Sequence, residues 1–156
     1  GYNFRLSDIN AALGYSQLKK IDKFIKKRKK IFQLYKSNFK NFKFLRIIDE
    51  SFNSKASYHL MILLIDFSKL KIDKSRLIKM LIKYKIYCQF HYIPIYKFSK
   101  FNAKNLSIYP NSKKYFNNAL SIPIYYNLKF SEVKYITNII KKILFLNLKT
   151  KSKLRL

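Results

Sequence analysis

The sequence predicts a small α/β domain, one sheet layered with helices and hung on a long leading helix. Three observations carry that reading. Apolar residues recur at alternating spacings of three and four from Leu18 to Phe39, a run apolar on both faces follows at Leu60 to Ile65, and a second helical stripe closes the chain. With 49% hydrophobic and 17% aromatic residues, the 156 positions bury a core and are not a disordered basic tail.

Ser7 is placed to cap the first helix, and Asp8 brings a negative charge to the positive end of its dipole. The spacing predicts one helix from there to about Phe39, with Leu18, Ile21, Ile25, Arg28, Phe32, Tyr35 and Phe39 as its seam. Lys19, Lys20, Lys23, Lys26, Lys27 and Lys30 fall off the seam and read as a solvated face. Residues 40–56 predict a short strand or a loop. Leu60 to Ile65 predict a central strand buried on both faces.

Asp73 then caps a short helix that turns Leu77, Leu81 and Tyr84 inward and Lys79 and Lys83 outward. From Ile86 to Tyr92 the chain alternates: Ile86, Cys88 and Phe90 share one face, Tyr87, Gln89 and His91 the other. Pro94 has no N–H to donate and ends that strand. After an irregular stretch, Ser112 predicts the cap of a helix over 113–120, Ser121 to Tyr125 a short strand broken at Pro123, and Ser131 the cap of the last helix. Val133, Ile136, Ile140 and Ile143 form that helix's buried stripe, and the lysine-rich tail is expected to fray from Asn147.

Lys and Arg number 34 against 7 acidic residues, a formal +27 that suits polyphosphate binding. Composition offers another source for it. Lys, Ile, Phe, Tyr and Asn, the residues with the most A- and T-rich codons, make up 90 of the 156 positions. Only 5 of the cations are Arg, the side chain that reads nucleic acid by bidentate bonds. Non-specific adhesion to polyanions at low salt is therefore expected, and a dedicated nucleic-acid module is the weaker reading.

The single cysteine, Cys88, excludes an internal disulfide and a cysteine-based zinc site. Two glycines exclude a glycine-rich phosphate loop. The seven acids form no evident dyad, and no nucleophile–histidine arrangement has local support, so no catalytic residue and no metal ligand is named. No stretch approaches the ~20 apolar residues that span a bilayer. No leader pattern opens the chain, so a soluble, cytoplasmic protein is expected, and a start at Gly1 reads as a fragment.

Two segments gather polar groups. Gly1 to Asp8 places Asn3 and Arg5 beside a helix start, which suits an anion or merely satisfies local backbone groups. Gln89 and His91 share a face at a strand end, where they either meet a ligand or leave His91 half-buried against a neighbouring carbonyl. His59, at the head of the buried strand, reads as structural.

Four blocks carry a resemblance. Gly1-Tyr2-Asn3-Phe4-Arg5-Leu6-Ser7-Asp8-Ile9-Asn10-Ala11-Ala12-Leu13-Gly14, continuing through Ser16-Gln17-Leu18-Lys19-Lys20, resembles the opening block of the DegT/StrS sugar aminotransferases. Ser57-Tyr58-His59-Leu60, Gln89-Phe90-His91-Tyr92-Ile93-Pro94-Ile95-Tyr96 and Ala119-Leu120-Ser121-Ile122-Pro123-Ile124-Tyr125 follow in the family's order. The details are most similar to the branch making the 4-amino sugar nucleotide of the pseudaminic acid pathway.

The resemblance implies the C-terminal part of a fold type I pyridoxal 5′-phosphate enzyme. Residues 1–39 would end the large domain and form a connecting helix, 40–146 the small C-terminal α/β domain, and 147–156 a basic tail. It implies amino transfer from glutamate to a nucleotide-linked keto sugar by a homodimer, with no specific nucleic acid and no membrane as partner. Asn3 would reach the partner's cofactor phosphate or substrate, and Arg5 an interface or anion. Gln89, Phe90, His91 and Tyr92 would line the sugar nucleotide site. The family's Schiff-base lysine precedes the Gly-Tyr-Asn block, so none of the 29 lysines inherits that role. Lys85-Ile86-Tyr87 and Asn127 stand where relatives often carry glycine.

Overall fold

The computed structural model describes Tyr2 and residues 4–48, 56–101 and 109–149. Helix α1 spans Asp8–Leu18 and helix α2 Ile21–Phe39. Ser7 caps α1 as expected, its hydroxyl accepting from the Asn10 N–H at 3.4 Å. The single predicted helix is in fact two. At Lys20 (φ −103°, ψ −3°) the N–H bonds to the Gln17 carbonyl three residues back, at 3.0 Å, and this tightened turn interrupts the ladder. Apolar periodicity continues across the break, because it registers side-chain direction and not backbone pairing.

The seam divides at the same place. α1 buries no residue, and Ile9, Leu13 and Leu18 are exposed along it. In α2 the second half is buried: Ile31, Phe32, Tyr35 and Phe39 enter the core, while Ile21 stays exposed. Half-buried Arg28 keeps its Nε away from water with no hydrogen-bond partner among the described residues.

Strands β1 (Leu45–Ile47), β2 (Met61–Ile65) and β3 (Ala119–Ile122) form an antiparallel sheet in the order β1-β2-β3. Leu45 pairs with Ile65, and Leu63 with Leu120. β2 is central, as its apolar run predicts. Met61, Leu63 and Ile65 are buried, and Ile62 and Leu64, on the other face, are half-buried.

Helix α3 spans Lys74–Lys83; Asp73 Oδ1 accepts from the Arg76 N–H at 2.7 Å, and Leu77 and Leu81 point inward. Tyr84, expected inside, is 38% exposed, because it caps the helix where the chain turns. Lys85 completes the turn at φ 58°, a left-handed conformation that favours glycine.

Helix α4 spans Pro110–Asn118, with Tyr109 at its N-cap. Ser112 is thus inside the helix and is not its cap. Proline prevails at the first position because its fixed φ suits a helix and its missing N–H is not needed there. The helix stops before 120 because Ala119 and Leu120 join β3.

Helix α5 spans Phe130–Leu146. Its N-cap is Lys129, not Ser131, since the Glu132 carboxylate accepts from the Lys129 N–H at 2.7 Å and fixes the entry. Val133, Ile136, Ile140 and Ile143 are buried as predicted, and α5 packs along α2 and α3. The expected fraying does not begin at Asn147. Leu148 is fully buried and bridges Leu70, and the Lys149 N–H bonds to the Lys69 carbonyl at 3.0 Å.

Candidate functional site

Beyond β3 the segment from Ile86 to Tyr92 was expected to be a strand, but it pairs at one residue only. Gln89 exchanges both backbone bonds with Ser121, at 2.9 and 3.0 Å. The start of the segment is committed elsewhere, because the Ile86 N–H closes the end of α3 on the Leu81 carbonyl. Pro94 bounds the other side.

This one bridge aims the alternate side chains. Gln89 and His91 line an open cavity of about 610 Å³ between β3, the loop after it and the first turns of α5. Ser121, buried to 6% exposure, holds its hydroxyl 2.8 Å from His91 Nδ1. The histidine is therefore half-buried against a hydroxyl, not against the carbonyl considered from sequence. His59, Glu132 and Tyr135 add polar groups to the wall, while Ile122, Leu128 and Ile136 make its floor apolar. His59 is exposed, with Nδ1 3.3 Å from the Ser57 hydroxyl, and it precedes the strand by two residues instead of heading it.

The other members of the predicted stretch leave the cavity. The Phe90 ring sits 4.6 Å from the Lys74 ammonium, which also donates to the carbonyls of Phe116 and Ala119. Burial first, and the nearby Lys97 second, lower the pKa of Lys74 below the usual lysine range. Tyr92, 76% exposed, lines a second groove of about 720 Å³ with Pro94, Tyr96 and Tyr109. Arg5 is exposed ahead of α1 and borders neither hollow, and Asn3 lies outside the described residues.

Behind the cavity the Tyr35 hydroxyl donates to the Pro123 carbonyl at 2.9 Å, tying the end of β3 to α2. Burial pushes the Tyr35 phenol well above its ordinary range. Burial also pushes the Cys88 thiol up to about 12, which keeps it protonated and unsuited to nucleophilic work at neutral pH.

Ser121, Glu132 and Tyr135 also line the cavity, though the sequence alone does not bring them to it. Ser121 stands inside the quoted Ala-Leu-Ser block, and its alternation with buried Leu120 and Ile122 was the available signal. Glu132 and Tyr135 carry no such mark. Among the described residues no group of three or more His, Cys, Asp or Glu is placed to hold a metal, and no helix is long and apolar enough to cross a membrane.

The pyridoxal phosphate implied by the resemblance does not find a site in these residues alone. The helix start nearest the matching block is closed by its own Ser7 hydroxyl, and its first turn carries Asp8, a poor setting for a phosphate dianion. Among the described residues the start of α1 forms no cofactor cradle.

Comparison with known proteins accounts for that. Residues 1–141 match the sequence profile of the DegT/DnrJ/EryC1/StrS aminotransferase family. The UDP-4-amino-4,6-dideoxy-N-acetyl-beta-L-altrosamine transaminase of Campylobacter jejuni is 32% identical over 145 residues, which cover 92% of this chain and 38% of that protein. The structure superposes on Helicobacter pylori PseC, an aminotransferase involved in the biosynthesis of pseudoaminic acid, with a TM-score of 0.84 and 29% identity, covering 94% of this chain and 39% of that one. The putative sugar aminotransferase Spr1654 of Streptococcus pneumoniae, in its PLP form, gives 0.84 at 25% identity, with coverages of 93% and 37%. The chain thus spans well under half the length of these relatives. Its helices and small antiparallel sheet include the C-terminal small domain of a fold type I aminotransferase, and the chain belongs to the DegT/DnrJ/EryC1/StrS aminotransferase family.

Proposed function

We propose that this chain is the C-terminal portion of a pyridoxal phosphate-dependent aminotransferase that moves an amino group from glutamate to the keto group of a nucleotide-linked sugar. The observation that carries the reading is the cavity where Gln89 and His91 converge on Ser121, within a chain that matches the family over residues 1–141. In the whole enzyme the cofactor supplies the electron sink for amino transfer. This chain supplies recognition. The Gln89 amide offers both a donor and an acceptor to sugar hydroxyls, and the Ser121 contact orients the His91 ring against the same ligand.

On this reading residues 1–39 end the large domain and lead into the small domain at 40–146, and the lysine that holds the cofactor precedes the chain. On the same reading Asn3 would meet the cofactor phosphate or substrate of a second subunit in a cytoplasmic homodimer, and Arg5 an interface or an anion. The 32% identity to the altrosamine transaminase favours a 4-amino-4,6-dideoxy product.

The test is expression of the open frame that includes the DNA upstream of Gly1. The longer protein, given a UDP-linked 4-keto sugar and glutamate, should form the amino sugar, and Gln89→Ala and His91→Ala should lower kcat/KM about tenfold or more. The chain alone, mixed with pyridoxal phosphate, should show no saturable absorbance between about 330 and 420 nm beyond that of lysine-rich controls. A saturable, borohydride-reducible band on the chain alone, or a longer protein inert toward every nucleotide-linked keto sugar, defeats the reading.

A further inference from the structure

The segment from Ile86 to Tyr92 joins the sheet at Gln89 alone, so no continuous ladder fixes the direction of its side chains. Gln89 and His91 nonetheless both enter the cavity. Phe90, between them, points away from it, and whatever holds that ring sets the roll of the segment.

The holder is Lys74, the first residue of α3. Its ammonium lies 4.6 Å from the centroid of the Phe90 ring and 4.6 Å from that of Phe116. It also donates to the Phe116 carbonyl, in the last turn of α4, and to the carbonyl of Ala119, the first residue of β3, at 3.4 Å. Two of these contacts reach the cavity from behind. Phe90 stands between Gln89 and His91, and Ala119 starts the strand that brings Ser121 to both.

Helix α3 thus grips the segment twice. The Leu81 carbonyl takes the Ile86 N–H near the end of the helix, and Lys74 takes the Phe90 ring at its beginning. Leu81 is about 10 Å of helix rise from Lys74, and Ile86 about 13 Å of extended chain from Phe90, so the segment returns along α3 between two fixed points.

A half-buried ammonium is a costly filler for this seam, where a methionine would pack without desolvating a charge. What the lysine adds is direction, since carbonyl oxygens and ring faces attract it along particular lines. At the end of α4 it also meets the negative pole of that helix.

We propose that Lys74 is a positioning residue for the cavity, holding Phe90 and the start of β3 so that Gln89, His91 and Ser121 converge on one ligand. The assignment rests on the aminotransferase reading for the identity of that ligand; Lys74 itself does not line the cavity.

The test has two arms. In this chain, proton NMR should show contacts between the Lys74 side chain and the Phe90 ring, and their absence overturns the proposal whether or not any variant folds. Lys74→Met should move the Gln89 side-chain amide and His91 imidazole signals while leaving those of His59 in place. Lys74→Arg, which keeps a cation over the ring, should restore them, and in a Phe90→Leu chain Lys74→Met should move them no further. A folded Lys74→Met with those signals unmoved makes the lysine structural only and overturns the proposal. In the longer protein, Lys74→Met should lower kcat/KM for a UDP-linked 4-keto sugar about fivefold, mainly through KM. In a background lacking the Gln89 and His91 side chains the same change should cost about twofold or less. An equal loss in both backgrounds shows a route other than this pair and also overturns it. A longer protein without amino transfer defeats the aminotransferase reading and leaves the NMR arm to decide the role of Lys74.

Discussion

The Ser121 hydroxyl and His91 Nδ1 lie 2.8 Å apart, across the one residue at which the segment after α3 pairs with β3. Backbone and side chain of Ser121 thus act on neighbouring residues: its main chain fixes Gln89, and its hydroxyl orients the imidazole two positions on. Ser121→Ala should cost about 1 kcal/mol of stability, the worth of one partly buried hydrogen bond. It should also change the His91 imidazole NMR signals while leaving those of His59 in place. Unaltered signals would mean that the contact does not orient the ring.

Alkaline pH should destabilise the fold through two buried acids. Tyr35 and Cys88 both titrate above their ordinary values of 10.0 and 9.0 because burial disfavours their charged forms. As pH rises past those ordinary values the unfolded chain loses these protons first, so it binds fewer protons than the native state and unfolding becomes easier. The contribution of these two groups should therefore be level below about pH 8 and fall from about pH 9 upward. The lowered pKa of Lys74 acts in the opposite sense below its ordinary range and offsets part of the fall. Tyr35→Phe removes the phenol and should flatten the part of the decline above pH 10, at a cost near neutrality of about 1 kcal/mol for the lost bond to Pro123. Urea titrations at several pH values measure both effects.

Core and leading helix should respond oppositely to truncation. Leu77 and Ile140 are fully buried, and Leu77→Ala or Ile140→Ala should cost about 2–5 kcal/mol. Leu13 is 59% exposed on a helix that buries nothing, so Leu13→Ser should change stability by about 0.5 kcal/mol or less. A large loss at Leu13 would show that α1 has a packing partner in solution.

Lys85→Gly should stabilise the chain by about 0.5–1 kcal/mol. The φ of 58° strains a residue bearing a Cβ, and relief of that strain outweighs the extra entropy glycine brings to the unfolded state. Thermal melts of the two proteins settle the sign. This is also one of the positions where the resemblance led glycine to be expected.

Much of the fold was legible because local chemistry reports on local structure. Asp73 caps α3 where its spacing to Leu77 and Leu81 requires, and the α5 stripe at Val133, Ile136, Ile140 and Ile143 is buried as its period demands. The errors lie at boundaries, where several groups compete for one role. Pro110 displaced Ser112 and the Glu132 carboxylate displaced Ser131, each because the rival satisfied the helix start with less rearrangement. The break at Lys20 is not legible because the apolar spacing from Leu18 to Ile21 runs across it unchanged.

The chain's own residues determined its family, its central strand, its helix faces and the convergence of Gln89 with His91, all of which follow from residue type and the period of backbone geometry. Tertiary structure alone decided that Ser121 serves that pair, that Phe90 turns away to Lys74, and that Tyr96 and Tyr109 stack across a second groove. These relations join residues far apart along the chain, and no local period records which distant partner a side chain meets once the sheet and helices close on one another.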